Sequence, residues 1–254
     1  MRFVDLSAPL ADDKGWAPRP LRTKVRHSGH RAGARAIWLL FRLRRRHLRG
    51  GLGWANDHIS LSTHGATHVD APWHYAPTSE GKPARTIDEL PLEWFHGPGV
   101  CLDLTHLPDG AAASVEDLQR ELERIGHELA PGEIVLCRFD GDRRLGTRAY
   151  FGAGAGVSAE ATRWLIERGV RVMGTDCWGW DRPLRLQAAE AKRTGRSDLF
   201  WEAHFVGVEH EYCQIERLAN LAALPPTGFT VSCFPLKVAG GSAGPARVVA
   251  LLDD

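Results

Sequence analysis

Three imidazoles and a carboxylate fall within eleven residues in His64-Gly65-Ala66-Thr67-His68-Val69-Asp70-Ala71-Pro72-Trp73-His74. These are side chains that bind zinc, manganese or iron. In an extended chain rising ~3.3 Å per residue, His64 and His68 would stand about 13 Å apart, whereas a metal needs each nitrogen within roughly 2.1 Å of itself. The backbone must therefore fold back between them, and Gly65 is placed to allow such a turn. His68 and Asp70, two apart, share one face of a strand. Val69, Pro72 and the alternation before them argue against a helix, so the segment reads as a strand end running into a tight loop. Lone histidines are common in surfaces and cores, but four such groups in one loop bounded by Gly and Pro have few structural reasons to exist. His74, beyond Pro72, either completes the ligand set or, in the preferred reading, stands free as a general acid/base.

The elements that position this loop read as alternating strands and helices, hence an α/β or α+β domain. Strands are expected at Phe3–Leu6, from His58 onward, at Val100–Leu104, Glu133–Arg138, Val170–Gly174, near 229–238 and at 247–251. Ser114 caps a helix with an acidic first turn, expected to run to about Leu129, and Ser158 caps a second that ends near Gly169. Residues from Asp181 to Gly195 form a loop or helix. An amphipathic helix is expected at about Ile37–Leu48, closed by Gly50-Gly51.

The stretch Ser62 to His74 resembles the signature His-x-Gly-Thr-His-x-Asp-x-Pro-x-His of the metal-dependent cyclase family that includes bacterial kynurenine formamidase and isatin hydrolase, with Ala66 in a glycine slot. The likeness continues through Ser158–Asp176, Glu216-Arg217-Leu218-Ala219-Asn220-Leu221, Pro235-Leu236-Lys237 and Arg247-Val248-Val249-Ala250. His204 and Glu216 match the family's His and Glu, twelve residues apart. The resemblance implies an α/β fold of the swivelling β/β/α type, with a mixed central sheet flanked by helices. It implies that His64, His68 and Asp70 hold one divalent metal, that His204 holds a second, and that Asp70 and Glu216 bridge them. Zinc is the expected metal and manganese the alternative, one or two per chain; His74 matches the catalytic histidine. The usual state of such proteins is a homo-oligomer, a dimer or tetramer.

The activity implied is hydrolysis of a C–N bond other than a peptide bond, in an amide, lactam or related carbonyl compound. Trp16, where the family places an aromatic residue, and Trp73, Tyr75, Trp178 and Trp180 are candidates to bind a small, aromatic substrate. Any one of these rings could equally be a large core residue. Trp178-Gly179-Trp180-Asp181 and the region 17–56 depart from the compact formamidases, which leaves a metal-dependent cyclase or dehydratase of a biosynthetic, polyketide-like pathway as the rival reading. His58 and His210 read as surface or hydrogen-bonded histidines.

With 254 residues, 43% hydrophobic and 25% charged, the chain is expected to be one globular domain over 1–254 with a basic insert at about 17–56. No apolar run approaches the roughly 20 residues of a membrane span, and the N-terminus lacks a continuous apolar segment, so a cytoplasmic location is expected. Five widely spaced cysteines without a Cys-x-x-Cys pair read as free thiols. Between Arg22 and Arg49 stand ten Lys/Arg and no acid, leaving 22 basic against 31 acidic residues elsewhere. A polyanion would be repelled by that remainder, so no nucleic acid is expected as partner. An anionic substrate or a partner subunit is the better match for the basic segment.

Overall fold

The structure, a computed structural model, describes residues 1–13 and 15–252. Lys14, Asp253 and Asp254, which the 1–254 domain expectation includes, lie outside the described residues. The chain divides into two compact units, Met1–Leu10 with Thr63–Asp254, and Ala11–Ser62. No helix among the described residues is long and apolar enough to cross a membrane.

The larger unit is mixed α/β and carries a nine-stranded sheet. Its strands are β1 (Arg2–Asp5), β2 (His68–Asp70), β3 (His96–Asp103), β4 (Ile134–Arg138), β5 (Val172–Thr175), β6 (Cys213–Glu216), β7 (Phe229–Ser232), β8 (Ala243–Pro245) and β9 (Val249–Leu252), in the order β1-β9-β7-β3-β4-β5-β6-β2-β8. The four central strands β3-β4-β5-β6 are mutually parallel and the outer ones antiparallel. Parallel neighbours need crossovers, and α1 (Val115–Ile125), α2 (Ala159–Glu167) and α3 (Leu184–Thr194) lie in those connections. The mixed sheet with helices agrees with the expected swivelling β/β/α architecture.

Both faces of the central strands are covered, so apolar residues run almost without interruption along them. Ile134, Leu136, Val172 and Ile215 pack into one buried cluster with Val69, and Val135, Cys137 and Met173 into another with Leu118, Leu122, Leu165 and Trp180. The five cysteines are free and buried.

Some element ends differ from expectation for identifiable reasons. The first crossover helix stops at Ile125 rather than about Leu129, because Gly126 adopts φ +64 and its N–H closes the last turn onto Glu123 and Leu122. The helix of the 11–62 unit is His30–Phe41, not Ile37–Leu48, and Arg42 closes it in the left-handed region with its N–H on the Trp38 carbonyl. The strand begun at His58 is Asn56–Ser60, paired antiparallel with Lys24–Ser28 inside that unit. In this unit Gly33 and Gly53 touch backbone to backbone, and a Cβ on Gly33 would meet the Trp54 carbonyl oxygen at 1.8 Å.

One glycine links fold to site. A Cβ on Gly156 would lie 2.2 Å from the Asp181 carbonyl carbon and 2.1 Å from the Arg182 nitrogen. Gly156→Ala must therefore push the Asp181 backbone away, and a loss of about 1–3 kcal/mol of stability is expected from such overpacking. Chemical denaturation of wild type and variant checks it.

Candidate metal centre

The site is built by strand register. His68 lies opposite Glu216 and Asp70 opposite Gln214, with Val69 opposite Ile215 between them. Because side chains alternate across a strand, Val69 and Ile215 enter the core on one face. His68, Asp70, Gln214 and Glu216 then emerge together on the other. All four are buried.

The turn before β2 brings His64 back. Its left-handed residue is Ala66, at φ +55, in the slot where a glycine would carry no strain. The Ala66 carbonyl accepts from His68 Nδ1 at 2.9 Å, which fixes the ring with Nε2 inward. Thr67 holds the turn from behind: its hydroxyl donates to the Arg217 carbonyl at 2.5 Å and accepts from the Ala8 N–H at 2.8 Å.

The expected ligands converge. His64 Nδ1 lies 2.8 Å and His68 Nε2 3.2 Å from Asp70 Oδ1. His68 Nε2 is 3.5 Å from Glu216 Oε2, and His204 Nε2 is 3.5 Å from Glu216 Oε1 and 4.0 Å from Asp70 Oδ2. Yet His68 Nε2 and both Asp70 oxygens are buried without a well-directed hydrogen bond. These atoms point at shared space rather than at one another. Each unsatisfied buried group costs roughly 1–3 kcal/mol, and a cation placed among them satisfies all three at once. Two sets of donor atoms lie within 4.8 Å of one another, His68-Asp70-Glu216 and His64-Asp70-His74, with Asp70 in both. The donors are imidazole nitrogens and carboxylate oxygens, which suit zinc or manganese.

The electrostatics agree. Burial alone would raise the Asp70 carboxyl, but His68, His74 and His64 hold it well below its ordinary value. Burial likewise disfavours charge on His204, but the hydrogen bond to Asp181 and the Glu216 carboxylate push it up to about 10. Without metal, then, these carboxylates keep a proton on His204 where a cation would otherwise provide the positive charge.

Spacing did not reveal Asp181, which lies 23 residues before His204 in sequence. Its Oδ2 is 2.5 Å from His204 Nδ1, and it accepts from the backbone N–H groups of Ala203 (3.0 Å) and His204 (3.2 Å) and from Gln187 Nε2 (3.1 Å). A carboxylate on the far nitrogen fixes the tautomer of a metal-binding histidine and raises its basicity. Asp181→Asn is expected to weaken metal affinity by about 10- to 100-fold, read by competition against a chelator of known affinity; unchanged affinity would remove the role. Ser242 was also missed, and its hydroxyl is 3.1 Å from His64 Nε2.

His74, on the short helix Pro72–Tyr75, stands at the same centre with its ring centroid 3.9 Å from His64 and 5.7 Å from His204. Burial is the main cause that lowers its pKa to about 4, with the Asp70 charge only partly opposing it. The imidazole is therefore neutral at pH 7 and has a free nitrogen able to accept a proton.

The aromatic candidates scatter. Tyr75 is buried against His204 (5.5 Å) and stacked on Tyr212 (5.0 Å). The Trp180 ring is fully buried in the core with Nε1 donating to Thr162 at 2.9 Å, and its backbone N–H holds Glu216 Oε1 at 2.9 Å. Trp73 is exposed, Trp178 lies half-buried over Arg217, and Trp16 belongs to the 11–62 unit. The aromatic ring nearest the histidines is one the sequence did not single out: Trp201, stacked on His204 at 4.6 Å and edge-on to His74 at 4.9 Å. Its backbone sits at φ +65, a position no periodicity announces.

Fold and site together define a member of the cyclase family: residues 4–182 match the family model described as "Putative cyclase", and the chain belongs to that family. Among curated relatives, an isatin hydrolase of Roseibium aggregatum is 27% identical over 201 residues, 76% of this chain and 73% of its own. A kynurenine formamidase of Salinibacter ruber is 30% identical over 192 residues, 75% of this chain and 77% of its own. Among solved structures, isatin hydrolase A from Labrenzia aggregata superposes with a TM-score of 0.76 at 26% identity, covering 100% of this chain and 94% of that one.

Proposed function

We propose that this chain is a metal-dependent hydrolase that opens a C–N bond in an amide, lactam or related carbonyl group of a small aromatic molecule. The observation that carries the reading is the convergence of His64, His68, Asp70 and Glu216 around buried, unsatisfied donor atoms, with His204 Nε2 3.5 Å from Glu216 Oε1 and His74 beside them. It is supported by the likeness to an isatin hydrolase and a kynurenine formamidase. A divalent cation, zinc or manganese, one or two per chain, supplies a Lewis acid that polarises the carbonyl and brings the pKa of water toward neutrality.

The residues do the rest. His68, Asp70 and Glu216 would hold the cation, with His64 and His204 completing the set; where two ions are bound, the carboxylates of Asp70 and Glu216 would serve both. Asp181 orients His204. His74, a neutral imidazole with one ring nitrogen unprotonated, takes the proton of the attacking water on that nitrogen and returns it to the departing nitrogen, so one group serves as base and then acid. Trp201 borders the histidines and gives a planar substrate a wall, with Trp73 and Trp178 further candidates. On this reading residues 1–254 work as one domain elaborated by the basic segment at about 17–56, as a soluble homo-oligomer.

The test is metal content of protein purified without added metal, with hydrolysis of formanilide and isatin followed before and after chelation. Metal together with chelator-sensitive hydrolysis is expected. Metal without hydrolysis of either compound would overturn the hydrolase in favour of a cyclase or dehydratase, and absence of metal under every reconstitution would overturn the centre itself.

A further inference from the structure

We infer that Arg217 is an anion-binding group of this site and that the substrate is a small aromatic molecule carrying a carboxylate. The inference takes the position of the reacting bond from the hydrolase reading, but the anion site stands on its own observations. Arg217 directly follows Glu216 at the end of β6, where φ +62 turns the chain. Its N–H donates to the Cys177 carbonyl at 3.1 Å and its own carbonyl accepts the Thr67 hydroxyl. The backbone is thus pinned between the two loops that flank the centre. A non-glycine residue held in this region carries strain, a cost tolerated where the side chain must be placed.

The side chain is placed in an unusual way. Arg217 is only 4% exposed. Its guanidinium carbon lies 3.6 Å from the centroid of the Trp178 ring, and Nε donates to the Trp178 carbonyl at 3.3 Å. Among the described residues its two Nη groups have no hydrogen bond and no ion pair, and neither belongs to the sealed, unsatisfied atoms of the interior. The fork is therefore buried at its root and reachable at its tip. A guanidinium buried to this extent calls for a carboxylate, because an uncompensated charge out of water is costly.

The nearby carboxylates do not fill that need. Arg217 is close enough to Asp70, Glu216 and His64 to interact electrostatically with each. Asp70 and Glu216, however, would be spent on the cation in the loaded centre of the hydrolase reading. The loaded protein is then left with a guanidinium whose compensation is one indole face and one carbonyl. A substrate carboxylate supplies the missing partner, and a planar fork accepts it through two parallel hydrogen bonds. Trp201, beside His74 and His204, offers the aromatic part of the same molecule a surface. The alternative is a purely structural role, in which Arg217 only clamps the Trp178 loop.

Equilibrium binding separates the two. The probes are 2-aminobenzoate and 2-aminobenzamide, followed by their own fluorescence on the metal-loaded full chain. Wild type is expected to bind the carboxylate at least about tenfold more tightly than the amide. In Arg217→Gln the preference should fall to near unity with metal content unchanged, and in Arg217→Lys, which keeps the charge and loses the fork, it should be intermediate. A wild type with no preference, or a preference that survives in Arg217→Gln, overturns the inference. Should Arg217→Gln fail to fold, a preference undiminished in Arg217→Lys and unweakened by salt overturns it equally. Hydrolysis plays no part in this measurement, so a protein that opens formanilide but ignores the carboxylate leaves the hydrolase standing and removes the anion site, and the converse result does the reverse.

Discussion

Asp70→Asn is expected to release the metal and take hydrolysis to background. Asp70 is the residue common to both groups of donor atoms, and each of its oxygens faces a different imidazole, Oδ1 at 2.8 Å from His64 and Oδ2 at 4.0 Å from His204. Asparagine preserves the shape but offers one neutral acceptor, and its NH2 would point at a cation or at an imidazole N–H. Losing a partner behind a ligand costs about 10- to 100-fold in affinity, so losing a shared ligand should exceed that range. The measurement is metal per chain after dialysis, with turnover on formanilide alongside. The carboxylate is held well below its ordinary pKa by His68, His74 and His64 despite burial. In the metal-free protein its contribution to stability is therefore present above the ordinary carboxyl pKa and lost as pH falls through the depressed one. The variant should lack that acid-side dependence. Metal retained at wild-type level in Asp70→Asn would mean that the centre is organised around Glu216 and the histidines instead.

How much of this was legible in the sequence depends on distance along the chain. His64, His68, Asp70 and His74 lie within one turn, one short strand and the single helical turn that follows it, so residue type and spacing were enough to place them together. The fold-back that spacing demanded is real, but it rests on Ala66 at φ +55, which a reading centred on Gly65 does not anticipate. His204 and Glu216 entered only through family likeness; the structure brings Glu216 in by the antiparallel pairing of β6 with β2, a contact that no local pattern encodes. Asp181 and Trp201 were invisible because each acts through tertiary placement, Asp181 across 23 residues onto His204 and Trp201 from a strained backbone position. Arg217 stands out in the sequence only as a neighbour of Glu216, since a surface arginine and a buried one read alike until the Trp178 ring is seen over it. The parallel centre of the sheet was legible as apolar runs and capped helices, whereas its order depends on pairings between strands far apart in sequence.

His74→Ala separates catalysis from binding. As the free acid/base it should lower turnover by about 10²- to 10⁴-fold while metal content stays at the wild-type level. His74 Nδ1 or Nε2 is nevertheless near enough to His64 and Asp70 to serve as a ligand, so loss of metal and turnover together would reassign it. The pH behaviour gives an independent reading. In the metal-free protein burial, the main cause, with the charges on His64 and His204 adding to it, depresses the ring to about 4. The unfolded chain takes up that proton near the ordinary value of ~6.5. Between those two values the unfolded state binds more protons, so His74 makes the metal-free fold less stable as pH falls across that window, and His74→Ala should flatten that part of the stability curve. His204 has the opposite sign: raised to about 10, its contribution is fully present below ~6.5 and lost as pH rises through 10. A proton NMR titration of the metal-free protein that found His74 titrating near ~6.5 would show that burial does not depress the ring on balance, and would remove this pH signature.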